Sequence, residues 1–490
     1  VDKEVEMSTQ EMKSMEPFVD SEKDGAQRRL EQLGYRQELD RNLSVFGNVV
    51  MALSNVSPVM AAFVYALAAF ATVGIATAPA AILQGINVIF IGLIIAELGS
   101  MYPVSGGLYS IINYVLPKPL VFIAVFTFMI QAFIYPPSIA LGVAQYLQIL
   151  FPQLPQGPFA SSVIAAFTLL VALLIGLNSI VTNNRVAKIF LALQMTVIVV
   201  FLYITFANPQ RSLGEILFEA EMLSGDGSIM TPVTFGAVLM GIGILCAAID
   251  GYPASLGFSE ETKGSCRNVG KAAFISAAST AIIIALVLVM SMIAAPNLYD
   301  FLRNPSPLLY TAEAYMGATG AMVINVGIII SSFGCLVVII NYMARVLYTG
   351  ARDRIWPGKM NSLLTKVSGK TMIPWAATIL IALVDCVLVF ASDIVTLITF
   401  GGMAAATVYL LIAIGSINSR IKDKITTRPF RMPLFPLPSI LVIGFLTVAI
   451  GSQTTQDLLI VGGLLVLALV YYFAYIRPRD IREERKNGEQ

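Results

Sequence analysis

The chain has 490 residues, 57% of them hydrophobic and 12% charged, with a formal net charge of +1. Soluble domains carry about 25% charged residues, so this composition excludes a soluble globule, and the near-zero charge leaves no electrostatic footprint for a nucleic-acid partner. There is no histidine, which removes imidazole metal sites and relays, and Cys246, Cys266, Cys335 and Cys386 lack metal-binding spacing.

In chain order, residues 1–42 are polar and read as a cytosolic N-terminal tail rather than a signal peptide. Within it, 27–42 is amphipathic and basic enough to lie on the inner membrane face. Apolar runs of about 20 residues or more, the length that crosses a bilayer, then recur to the C-terminal end. They divide into twelve predicted spans: 44–71, 75–101, 119–149, 160–178, 185–207, 231–261, 271–294, 319–350, 373–391, 394–417, 434–451 and 457–476. Pro136-Pro137 predicts a kink in the third. The fold class is an all-α polytopic membrane protein.

Charge placement orients these spans. Lys118, Arg185, Lys188, Lys263, Arg267, Lys271, the clusters at 345–370 and 420–431 and the tail at 477–490 fall on one side; Arg211 and Arg303 fall on the other. Basic loops stay in the cytoplasm, so both termini are expected there.

Two spans are interrupted. The sixth contains Asp250-Gly251-Tyr252-Pro253. Glycine loosens the backbone, proline removes an N–H and collides with the preceding turn, and a carboxylate at mid-membrane costs about 2.5–3.5 kcal/mol on insertion scales. Lipid does not tolerate open backbone, so this break must face protein or a water-filled cavity. The first span is interrupted at Ser54-Asn55-Val56-Ser57-Pro58, where Ser57 reads as an N-cap and Pro58 as the first residue of a restarted helix. Breaks at matching places in two halves point to the central site of a transporter. The candidate substrate residues are therefore Ser54, Asn55, Ser57, Val59 and Met60 from the first break, and Ile249, Asp250, Gly251 and Tyr252 from the sixth. Each has a plainer reading: Asp250 as a cap of the restarted helix, Ser54, Asn55 and Ser57 as partners of their own backbone, Tyr252 as packing. Glu97, Glu260 and Glu261, near basic clusters at the cytosolic interface, read as solvated carboxylates or, in the alternative, as partners in inner-gate salt bridges, and Asp385, midway along the ninth span, must face protein or water.

Four stretches in order, LGYRQELDRNLSVFGNVV (33–50), AELGSMYPVSGGLYS (96–110), SEETKGSCRNVGKA (259–272) and ARVLYTGARDRIWP (344–357), give a more specific indication. With them the chain, over about 33–475, resembles the amino acid–polyamine–organocation (APC) superfamily, in its amino acid/choline transporter-like branch. The resemblance implies a LeuT-like fold. Its inverted five-helix repeats would be 43–207 and 231–417, with two extra helices in 434–476. It implies alternating access, with substrate at the unwound middles of the first and sixth helices. A substrate carboxylate would then meet free N–H groups at Val59 and Met60, and an ammonium would meet free carbonyls of the sixth helix. The chain departs from the family pattern at three places: Ser54-Asn55-Val56-Ser57 replaces glycines, Asp250 replaces a small or hydroxyl residue, and the middle of the fifth helix has no lysine. In sodium-coupled relatives, hydroxyls midway along the eighth helix help hold Na⁺, which implies Ser331 and Ser332 as candidate ligands. The coupling ion would be H⁺ or Na⁺, with no other cofactor.

The expected function is a secondary active transporter of amino acids or closely related small amines, in the cell membrane. One alternative is a carrier for a carboxylate-free organic cation (choline, a polyamine or a biogenic amine) read by Asp250; another is a non-transporting nutrient receptor. The sequence has no filter loop or charge ring for a channel, and no nucleophile–base pair for an enzyme.

Overall fold

A computed structural model describes residues 29, 33, 43–104, 107–177, 180–223, 229–369, 373–424 and 426–488. The predicted N-terminal tail, 1–42, lies outside the described residues except for Arg29 and Leu33. The first predicted span is two helices, α1 (Val45–Val56) and α2 (58–73), followed by α3 (Thr77–Met101). Then come α4 (Lys118–Leu150), α5 (Pro158–Gly176), α6 (Ile180–Ala207), α7 (Phe235–Ala248), α8 (Cys266–Ala294) and α9 (Pro307–Arg352). The last four are α10 (Trp375–Ala391), α11 (Ile394–Lys422), α12 (Leu437–Gly451) and α13 (Thr455–Tyr471). Among the described residues eight helical stretches are long and apolar enough to cross a membrane, and α7, α10 and α12 are shorter apolar helices.

The sixth predicted span is interrupted where the sequence placed the break: α7 stops at Ala248, but beyond the break only Ala254–Gly257 is helical. Gly251 at φ +88° ends the run, and Pro253 opens only that single turn. In the eighth, Gly317 (φ 68°, ψ 179°) separates a preceding helical stretch that starts at Pro307 from the span itself, which runs on to Arg352, close to the predicted 319–350. The C-terminal tail beyond the twelfth span is helical, α13 passing through a π-turn at Tyr472–Ile476 into Arg477–Gly488. Elsewhere α4 runs through Pro136 and Pro137 as one helix.

Packing pairs helices from the two halves. α3 lies along α8, α4 along α9, and α5 along α10, while α7 packs on α2 and α11. Small residues permit this closeness: a Cβ on Gly402 of α11 would sit 2.5 Å from the carbonyl oxygen of Gly243 in α7. Large apolar side chains such as Phe159, Phe167, Tyr203, Leu459 and Leu467 face outward, as a bilayer, not water, would accept.

Glu97 at the end of α3 is not solvated but follows the salt-bridge alternative. It is 1% exposed and accepts from Arg420 Nε at 2.9 Å, Arg428 Nη1 at 2.7 Å and the Met432 backbone N–H at 2.7 Å. Arg420 adds a second bond through Nη2 and lies over the Phe435 ring at 4.2 Å. A carboxylate can be held this far from water only with its acceptor capacity filled by cations and N–H donors. It ties the ends of α3 and α11 to the segment leading into α12.

Candidate substrate site

The site begins with how α1 ends. Ser57 adopts a left-handed conformation (φ 50°, ψ 77°), its N–H closes the last turn on Leu53, and Pro58 starts α2 without an N–H. Ser57 makes no side-chain cap bond, so the restart rests on proline geometry. A π-turn at Ala61–Tyr65 follows at once, a distortion common at functional positions. It places Tyr65 beside Tyr135 of α4, with rings 5.9 Å apart.

The second break lies against the first. A Cβ on Gly251 would come 3.0 Å from Cα of Val56, so glycine is required there both for its positive φ and for this approach. The side-chain amide of Asn55 donates to the carbonyl oxygen of Gly251 at 3.2 Å.

Between the breaks is a small half-open cavity whose walls come from α1, α2, α4, α7, α9 and α11. Asp250 sits on it with part of its surface open. Its carboxylate accepts from its neighbour, the Gly251 N–H, at 2.6 Å, from the Tyr135 hydroxyl at 2.8 Å, and from the Tyr409 hydroxyl. Tyr135 comes from α4 and Tyr409 from α11, so two walls outside the broken pair reach across to one carboxylate. Tyr252 stacks behind Tyr409, with centroids 5.7 Å apart and planes 13° from parallel. Among the described residues, Asp250 is the only charged residue in the lining.

Of the sequence-derived candidates, Asn55, Met60, Asp250 and Gly251 line this cavity. Ser54 is buried and bonds back to the Val50 carbonyl of its own helix. Ser57, Val59, Ile249 and Tyr252 are buried in the structure around the breaks rather than in the lining. Ser331 and Ser332 lie on α9, away from the lining, and their hydroxyls are buried with no hydrogen-bond partner. One turn further on, the Cys335 thiol is 4.0 Å from the Asn55 carbonyl, so α9 reaches the end of α1. Among the described residues no cluster of three Cys, Asp or Glu side chains could hold a metal. Tyr65, Gln131, Tyr135, Tyr342 and Tyr409 also line the cavity and were not singled out by the sequence. Gln131 and Tyr135, four apart within an apolar span, were the available signal: two polar tips on one helix face.

Two broken helices set break against break around a largely apolar cavity that holds one carboxylate, inside a bundle of apolar helices, define a membrane transporter. The chain belongs to the amino acid permease family, whose model matches residues 43–473. It is an integral multi-pass membrane protein and not an enzyme. It is 22% identical over 416 residues to the branched-chain amino acid permease BcaP of Bacillus subtilis, covering 80% of this chain and 84% of that one. To the low-affinity putrescine importer PlaP of Escherichia coli K12 it is 25% identical over 440 residues, covering 86% and 90%. To the large neutral amino acids transporter small subunit 2 of Homo sapiens it is 25% identical over 372 residues, covering 75% and 67%.

Proposed function

We infer that the protein is a secondary carrier that moves a small amine or amino acid by alternating access, with substrate held between the two breaks, and that a cationic amine is the better fit. The carrying observation is the Asp250 carboxylate, which stands on the cavity with no cationic side chain among the described residues of the lining. An ammonium is the natural counter-charge for it. The relatives, a branched-chain amino acid permease and a putrescine importer, span the same choice.

The backbone features that would read a zwitterion are weak here. Pro58 contributes no N–H to the restarted helix, and the Ala61 N–H is already bonded to Ser57. The Gly251 carbonyl, at the place where an amino group would bind, already accepts from Asn55. The amino-acid reading retains Val59 and Met60, whose N–H groups lie at the helix start, and Met60 reaches the cavity.

The pairing of α3 with α8, α4 with α9 and α5 with α10 supports two inverted sets of five helices followed by two more. The distribution of basic loops supports cytosolic termini in a cell membrane. The coupling ion is Na⁺ or H⁺. The two unpartnered hydroxyls of Ser331 and Ser332, on the helix that touches the end of α1, fit a small hard cation, since buried polar groups without partners call for an ion or water.

Uptake and counterflow in proteoliposomes test the reading. Saturable exchange of labelled amine, blocked by excess amine, is expected. Amino-acid uptake undisturbed by any cationic amine would contradict it, and binding without counterflow would indicate a receptor.

A further inference from the structure

The Asp250 carboxylate is already covered. Tyr135 and Tyr409 donate to it from two walls and Gly251 from its own backbone, and the open space beside it is only about 40 Å³. That volume holds a few waters, not an organic cation. Asp250 Oδ1 already accepts from Gly251 and Tyr409 and Oδ2 from Tyr135, so of about four acceptor sites one is left, and a substrate head that engages both oxygens must take the place of the Tyr409 hydroxyl.

This sets a chemical requirement. A hydrogen bond to a charged acceptor contributes about 1.5–3 kcal/mol, so a cation that displaces an O–H donor must supply an N–H donor in return. A primary ammonium has three. A quaternary ammonium has none, and its attraction to the Tyr65, Tyr342 and Tyr409 rings recovers only part of the loss. The rest of the lining tells about the other end of the substrate. Val56, Met60, Phe128, Ile339 and Met343 are apolar, and no second carboxylate or basic side chain lies there among the described residues. A diamine would bury its second ammonium unpaired, and an amino acid its carboxylate.

We propose that the cavity takes primary monoamines with an apolar or aromatic body, and that the Tyr135 and Tyr409 hydroxyls hold the position of the ammonium until it arrives. This rests on the reading of the protein as a carrier in which Asp250 meets the substrate's cation, and it selects among the organic cations that reading allows.

The test is binding to the purified full chain, by thermal stabilisation and by competition in proteoliposomes. The probes are 2-phenylethylamine, its N,N,N-trimethyl counterpart, 1,4-diaminobutane and phenylalanine. The primary amine should bind at least about tenfold more tightly than the other three, a difference of about 1.4 kcal/mol. Tyr409→Phe keeps the ring and removes a donor that an arriving head must displace, so both amines should bind more tightly, while the ratio between primary and trimethyl amine, set by the ammonium's own N–H donors, is kept. Tyr135→Phe gives the same readout should Tyr409→Phe fail to accumulate. Equal affinity for primary and trimethyl amine, tighter binding of the diamine, or no gain in amine affinity in either variant overturns the proposal while leaving Asp250 as a cation reader. Binding of phenylalanine with no binding of any amine removes the underlying reading as well.

Discussion

The Asn55 side-chain amide donates to the Gly251 carbonyl at 3.2 Å, joining two residues 196 positions apart in sequence. Each belongs to the interruption of its own helix, so one hydrogen bond couples the two breaks. The account depends on their staying together.

Gly251→Ala should therefore abolish uptake. The left-handed conformation costs a non-glycine residue about 1–2 kcal/mol, and the added methyl would press on Val56 at 3.0 Å. Asn55→Ala should be milder, about 1 kcal/mol for a lost hydrogen bond. Uptake normalised to protein in the membrane, with thermal unfolding in detergent, ranks the two.

At the far end of α3, Glu97→Gln should lower the unfolding temperature. Breaking a buried pair by removing one partner costs about 3–5 kcal/mol, and Arg420 and Arg428 would then share no anion there. A double-mutant cycle with Arg420→Met measures the coupling; strictly additive losses would mean the contact is not energetically shared.

Gly402→Ala should also destabilise. The methyl would meet the Gly243 and Ile244 carbonyl oxygens at 2.5 and 2.9 Å, where backbone cannot yield easily; overpacking of this kind costs about 1–3 kcal/mol. Because α7 leads directly into the second break, uptake should fall further than stability alone accounts for, which parallel transport and unfolding measurements would reveal.

Asp385 is the opposite case. Its carboxylate is fully buried on α10 and neither oxygen has a hydrogen-bond partner among the described residues. With no ion pair to lose, Asp385→Asn should leave thermal stability unchanged or raise it. A large loss would show that the carboxylate itself is needed.

The breaks were legible in the sequence because their causes are local: Pro58, Gly251 and Pro253 act on their own backbone. The far walls of the cavity were not, since Tyr135 and Tyr409 sit in unremarkable apolar helices and acquire their role only when α4 and α11 converge on Asp250. For Glu97 the sequence left solvation and a salt bridge both open for the same reason. Its partners, Arg420 and Arg428, are 323 and 331 residues away, and nothing nearby in the chain announces them. The sixth span was read as too long because its apolar run continues past Pro253, although the backbone does not continue as a helix.

The most direct measurement is ligand-induced stabilisation of Asp250→Asn by a cationic amine and by a neutral amino acid. Asparagine keeps the shape and removes the charge, so binding of the amine should fall by about tenfold or more, the scale of one charged contact, with the amino acid little changed. Equal losses for both ligands, or an amine that binds the variant as it binds the native chain, would contradict the assignment of the substrate's cation to Asp250.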